Sequence, residues 1–141
     1  MPKRKIAVRM KSFGIYDSWN SETKELPRIA EFTTEVRAEL DVEFGFIVNI
    51  VGAKNRELDY CIYHPGILGD DGEIRAPFDG TVFVKTNNWN FYLGDTIWEP
   101  VEDKLGEWRM TLEIDGDLIA EKTFLLHLDS ETETPNSQSR T

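Results

Sequence analysis

Apolar side chains recur at every second position along much of this chain. In "IAEFTTEVRAEL", Phe32, Thr34, Val36, Ala38 and Leu40 alternate with Glu31, Thr33, Glu35, Arg37 and Glu39, the period of an extended strand with one wet face. "KIAVRMK" sets Ile6, Val8 and Met10 against Lys5, Arg9 and Lys11 in the same way. "EFGFIVNIVG" places Phe44, Phe46, Val48 and Ile50 on one face; after "GAKN" the chain returns through Leu58, Tyr60 and Ile62, which predicts a hairpin with a loop of several residues.

The middle is punctuated differently. "HPGILGDDGEIRAPFDG" is dense in Gly, Pro and Asp, which supply turns and interrupt regular elements, so it reads as a long loop. "TVFVKT" follows as a short strand. In "NNWNFYLGDTIWEPVEDKLG" alternation puts Trp89, Phe91 and Leu93 on one face and Asn90 and Tyr92 on the other, and "WEPVEDKL" has room for one helical turn. In the last hairpin Trp108, Met110, Leu112 and Ile114 share a face. A three-residue turn, Asp115 to Asp117, pairs Trp108 with Phe124 and Leu112 with Ala120, whereas a two-residue turn would set Trp108 against Thr123. The chosen register points Lys122 inward opposite Met110, which calls for a bulge or a sheet margin there.

About eight short strands separated by turn signals, with no helical segment of ten or more residues, predict an antiparallel immunoglobulin-like β-sandwich. Residues 1–128 form its single domain. Residues 129–141, "DSETETPNSQSRT", contain no large apolar side chain to offset the entropy of ordering and are expected to be a disordered acidic tail.

The blocks "FGFIVNIVGAK", "HPGIL", "NWNFYLGDTIWEPVEDKLGEW" and "GEWRMTLEIDGDLIAEKTF" together resemble a family of small bacterial proteins catalogued as a domain of unknown function. The resemblance runs from about Ile15 to Leu126 and leaves out the acidic tail. It implies an immunoglobulin-like sandwich and no catalytic or binding residues.

Charge narrows the classes of partner. The 26 acidic against 16 basic residues give a net charge of −10, which repels phosphate backbones and anionic headgroups, so neither nucleic acid nor membrane is an expected partner. "MPKRKIAVRM" carries no apolar run behind its basic residues, as a secretory signal requires, and the single cysteine, Cys61, agrees with a reducing compartment. A cytoplasmic location is the expectation.

Reactive groups are few. Cys61 and His64 stand at odd and even positions of one strand, with Pro65 keeping His64 extended, so they face opposite sides and cannot form a nucleophile and base pair. "GDDGE" suggests calcium, but with Gly72 as the loop glycine the first ligand falls on Ile67 and the closing one on Phe78, so a polar turn is favoured. With one cysteine and two distant histidines there is no zinc spacing, and no cofactor is implied. Asp95, Glu99 and Glu102 are the candidate metal ligands, should their loop fold back on itself. Trp89 and Phe91 are expected in the core, leaving Tyr92 and Trp98 as the candidate ligand contacts.

The reading that results is a non-catalytic protein interaction or scaffold module whose partner is another protein or a second copy of the chain. A carbohydrate or small-ligand module built on residues 89–103 is the first alternative, and a carboxylate or metal-dependent enzyme the second.

Overall fold

The computed structural model of the chain describes residues 6–17 and 25–128. The segment 129–141, expected to be a tail, lies outside the described residues. Among the described residues nine strands run in order: β1 (Ala7–Tyr16), β2 (Ile29–Phe32), β3 (Glu35–Arg37), β4 (Glu43–Val51), β5 (Glu57–Tyr63), β6 (Phe78–Phe83), β7 (Asn88–Thr96), β8 (Gly106–Ile114) and β9 (Asp117–His127), with one 3-10 turn at Glu102–Lys104. They form a four-stranded sheet, β2-β1-β4-β7, and a five-stranded sheet, β3-β9-β8-β5-β6. All pairings are antiparallel except that of β3 with β9. This is the expected immunoglobulin-like sandwich, with nine strands rather than about eight. Among the described residues no helix is long and apolar enough to cross a membrane.

The core lies between the inner faces. Phe44, Phe46, Val48 and Ile50 of β4 are fully buried against Leu58 and Ile62 of β5 and Trp108, Met110 and Leu112 of β8. Phe44 packs edge-on against Trp108 at 5.3 Å and Phe124 at 5.6 Å, an arrangement that sets the positive rim of one ring on the negative face of another.

Two expectations fail where the chain changes sheet. β4 and β5 are not a hairpin: β4 pairs with β1 and β7, and β5 with β6 and β8, so residues 52–56 arch from one sheet to the other over the buried Ala53. Two strands with one apolar face each bury more by stacking face to face than by lying edge to edge. Likewise "IAEFTTEVRAEL" is two strands, for β2 joins β1 in one sheet and β3 joins β9 in the other. The Thr33 hydroxyl accepts the Glu35 amide at the corner. Val36 and Ala38 are buried as the alternation predicts, whereas Phe32 is 60% exposed, with its ring edge-on to Phe13 at 5.7 Å.

β1 is longer than expected because it absorbs a bulge between Met10 and Ser12, which swaps the inward parity from Val8 and Met10 to Phe13 and Ile15. The final hairpin has the predicted pairings of Trp108 with Phe124, Met110 with Lys122 and Leu112 with Ala120. Its turn is nevertheless two residues, Asp115 (φ 54°) and Gly116 (φ 84°), followed by a bulge between Leu112 and Glu113 that restores the offset. Lys122 indeed points inward, and its Nζ lies 3.9 Å from the Phe13 ring centroid, so the sheet margin accommodates it by a cation–π contact.

The difference between Phe44 and Phe32 is measurable. Phe44→Ala is expected to lower unfolding free energy by about 3–5 kcal/mol, as a large cavity at a closed site does, and Phe32→Ala by no more than about 1 kcal/mol; urea denaturation of the two variants checks both. Equal losses would mean that Phe32 belongs to the core face.

Candidate functional site

One end of the sandwich carries a groove of about 430 Å³ between two loops, with Ile67, Leu68, Gly69, Asp70 and Arg75 on one wall and Trp98, Glu99, Pro100 and Asp103 on the other. Each wall is tied down from within. The first is the Gly-rich segment read as a long loop; it folds into a miniature hairpin in which Leu68 bridges Ile74, the Gly69 amide donates to Glu73 O (2.9 Å) and the Arg75 amide to Ile67 O (2.8 Å). The Asp71 carboxylate accepts the Glu73 amide at 2.9 Å, and Gly72 takes φ +80°, which a side chain would resist. The acidic run is thus the polar turn that its spacing favoured.

His64 fastens this loop. Its Nδ1 accepts the Ile67 amide at 3.2 Å, which leaves Nε2 to donate to Ala76 O at 3.1 Å, while the ring packs on Phe78 at 4.9 Å and meets Trp108 at 6.3 Å. Both nitrogens therefore serve structure. Cys61 faces the opposite side of the sheet, in a shallow concavity of about 360 Å³ that also takes in Asp59, Tyr63, Asp79, Thr81 and Glu113. Partial burial there pushes the Cys61 thiol above its ordinary value, the reverse of what a nucleophilic thiolate needs.

The second wall is built around Lys104, whose side chain is fully buried. Its ammonium donates to Pro100 O (2.6 Å) and to the Asp103 carboxylate (2.7 Å) and lies 4.3 Å from the Trp98 ring centroid. A buried cation is tolerable only with such partners, so the lysine fixes the indole plane that lines the groove. The Glu99–Pro100 peptide is cis, and the 3-10 turn Glu102–Lys104 is the single helical turn that "WEPVEDKL" suggested. Asp103 also reaches the Leu68 amide across a long 3.5 Å contact, so one carboxylate touches both walls.

The sequence-predicted residues divide. Trp98 and Glu99 line the groove. Tyr92 does not: it is 4% exposed on the outer face of the four-stranded sheet, packed with Tyr16 and Ile47. The Tyr92 ring runs past Gly94, where a Cβ would collide with its hydroxyl, to donate to Glu43 Oε2 at 2.5 Å; Thr96 donates to Oε1 of the same carboxylate. Two hydroxyl donors make the buried Glu43 charge bearable, and burial followed by that charge drives the Tyr92 phenol far above its ordinary value. An exposed platform at Tyr92 is therefore ruled out.

Asp95, Glu99 and Glu102 are not gathered either, since no three His, Cys, Asp or Glu side chains among the described residues are placed to hold a metal ion. Asp95 stands opposite Phe44, half-buried near Glu43 and Lys104, while Glu99 and Glu102 are exposed. Burial above all, and the Glu43 charge, raise the Asp95 carboxyl from 3.8 to about 6 against the pull of the Thr96 amide and Lys104.

The model of a family described as "Domain of unknown function (DUF3859)" matches residues 4–126. The chain belongs to the DUF3859 family. A crystal structure of an immunoglobulin-like protein from Pseudomonas aeruginosa is similar over 86% of this chain and 97% of that one, with a TM-score of 0.69 and 25% identity. An alkylpurine DNA glycosylase from Pseudomonas fluorescens, bound to DNA with an abasic site analog, shares a TM-score of 0.41 and 11% identity over 84% of this chain and 30% of its own, a likeness too low to support an argument. No curated protein matches the chain.

In this DUF3859 domain, sequence reasoning missed Leu68, Asp70 and Arg75 as groove residues and Lys104 as the buried support of the second wall. The one signal, for Lys104 alone, was a lysine in the aromatic and proline-containing run "WEPVEDKL".

Asp95 generates a pH dependence of known sign. Its folded value is raised, so between about pH 4 and pH 6 the folded chain holds a proton that the unfolded chain releases. Stability is greatest below that window, falls as pH rises through it, and stays lower above it; the gap is worth up to about 3 kcal/mol. Asp95→Asn is expected to flatten this slope and to be about 1–3 kcal/mol more stable than the parent at pH 8. Chemical denaturation from pH 3.5 to 8 measures both.

Proposed function

We propose that this protein is a non-catalytic interaction module that holds a polypeptide partner in the groove at the end of its sandwich. The observation that carries this reading is the composition of that groove: a fixed Trp98 indole with Pro100, Ile67 and an exposed Leu68 as apolar floor, ringed by Asp70, Glu99 and Asp103 and by Arg75, whose guanidinium lies over the Phe78 ring. An aromatic anchor inside a polar rim is how protein interfaces concentrate affinity, and loops on a rigid sandwich are where such folds present it. With the Asp103 carboxylate already paired to the buried Lys104 ammonium, Asp70 and Glu99 against the one guanidinium still favour a segment that brings a basic side chain alongside an apolar one. The opposite facing of Cys61 and His64 and the raised thiol also support a role without covalent chemistry. The net charge of −10 weighs against a nucleic acid in the groove.

A carbohydrate is the second reading, favoured by the indole face of Trp98 in a cavity of ligand size.

A photoreactive residue at Leu68, installed in the full chain and activated in cells, is expected to crosslink a discrete polypeptide. The same residue at Glu113, on the far sheet face, should not, and Trp98→Ala should weaken binding of the captured partner roughly 30-fold, the loss of a hot-spot side chain. A glycan panel read by thermal shift separates the alternatives: stabilisation by a glycan that Trp98→Ala abolishes, with no polypeptide at Leu68, would replace the protein reading by the carbohydrate one.

A further inference from the structure

The sheet margins of the sandwich are unequal. β2 has four residues and β3 three, and β6 has six and carries Asp79. β7 has nine residues in unbroken register with β4 on one side, and no described strand lies on its other side. Edge strands that stay single are short, bulged, or guarded by Lys or Pro. β7 is long, unbulged and free of Lys and Pro, and the inward-facing Asp95 near its end is its one guard. "NWNFYLGDT" contains no Lys, Arg or Pro, and Asp95 is its one charge, in a chain where 30% of residues are charged. In this it matches its neighbour β4, an interior strand whose nine residues hold one charge, Glu43.

Both faces of β7 are also unfinished at the margin. Inside, Trp89 and Phe91 stack at 5.2 Å but are only half-buried, although they lie opposite the fully buried Ile50 and Val48. Outside, Asn49 donates from one Nδ2 to the Oδ1 atoms of Asn88 (2.7 Å) and Asn90 (2.9 Å). Among the described residues the Nδ2 groups of Asn88 and Asn90 donate in none of the hydrogen bonds.

We propose that β7 pairs antiparallel with β7 of a second copy of this chain about a two-fold axis, joining two four-stranded sheets into one of eight. A second copy fits this edge better than a foreign peptide does. From Asn88 to Gly94 the strand is uncharged, so it offers nothing to select a charged segment, whereas against itself it opposes no like charges over that stretch. Amide side chains complement their own kind, so the Asn49, Asn88 and Asn90 ladder extends across the axis, and Trp89 and Phe91 of each copy cover the exposed margin of the other. The net charge of −10 on each chain opposes approach at long range, so dimerisation should tighten as salt screens it. This surface is the sandwich edge, distinct from the groove, and it stands whether or not the groove binds a partner.

The full chain is examined by sedimentation equilibrium at low and high salt over a wide concentration range, with hydrogen exchange measured at each end of it. The expected result is a monomer–dimer equilibrium whose dimer fraction rises with concentration and with salt, and β7 amides that exchange at least about tenfold more slowly when concentrated. Asn90→Lys, an exposed position, should weaken the dimer by about tenfold or more by setting a lysine guard on the pairing edge of each copy while leaving the thermal midpoint of the monomer within a few degrees. A monomer at all concentrations, a dimer whose concentration-dependent protection falls on β6 or on the groove loops, or a dimer unaffected by Asn90→Lys would each overturn the proposal.

Discussion

The Trp108 indole connects the core of this protein to its surface. Its ring is sealed between the sheets against Phe44, and its Nε1–H, which no water can reach, donates to Lys104 O at 2.8 Å. An indole donor left unpaired there would cost about 1–3 kcal/mol, so the crossover after β7 must pass over the core at that point. Once Lys104 is held by its carbonyl, its ammonium has little choice but to sit against Pro100, Asp103 and the Trp98 ring. The wall of the groove is in this sense an extension of core packing. His64 does the same for the other wall, since its ring packs on Phe78 and Trp108 while its two nitrogens hold Ile67 and Ala76.

The outer face of the four-stranded sheet follows a different logic. β4 is buried on both sides along most of its length, which is why it reads as an almost continuous apolar run rather than an alternating one. Tyr16, Ile47 and Tyr92 form a small second cluster on that face, with Leu26 and Ile29 against it and a Ser12–Tyr16 hydroxyl bond of 2.7 Å within it. Glu43 is the exception that this face must neutralise by hydrogen bonds, and its charge is part of what keeps the neighbouring Asp95 carboxyl protonated to an unusually high pH. Two acidic groups are therefore placed where solvation is poor, and both act on stability.

How much of this was legible depended on whether the deciding interaction is local. The inward set of β8 and β9, including the odd lysine at 122, follows from alternation and register alone, and Trp89, Phe91 and Leu93 do share the inner face. The turn itself is not legible, because a two-residue turn plus a bulge gives the same offset beyond the bulge as a three-residue turn. The sheet changes at Thr33–Thr34 and at residues 52–56 were not legible, because alternation reports which face is apolar and says nothing about which sheet receives it. Alternation puts Tyr92 on the correct side of its strand but does not show its burial, since one strand cannot reveal that a second apolar cluster covers its outer face. Trp98 and Glu99 were found at the groove by aromatic and acidic density, whereas Arg75 and Leu68 reach it through a loop whose fold no periodicity encodes.

The parallel pairing of β3 with β9 also sets an order of events during synthesis. Glu35 lies beside Leu125, ninety positions along the chain, as the register shows. At translation rates of roughly 5–20 residues per second, β3 emerges on the order of 5–20 s before the strand that will hold it. Val36, fully buried in the finished sandwich, has no sheet partner during that interval, and neither do the inner faces that β8 and β9 will cover. Closure of the five-stranded sheet is thus a late step, governed by long-range contacts and completed only when the last strand is free to dock.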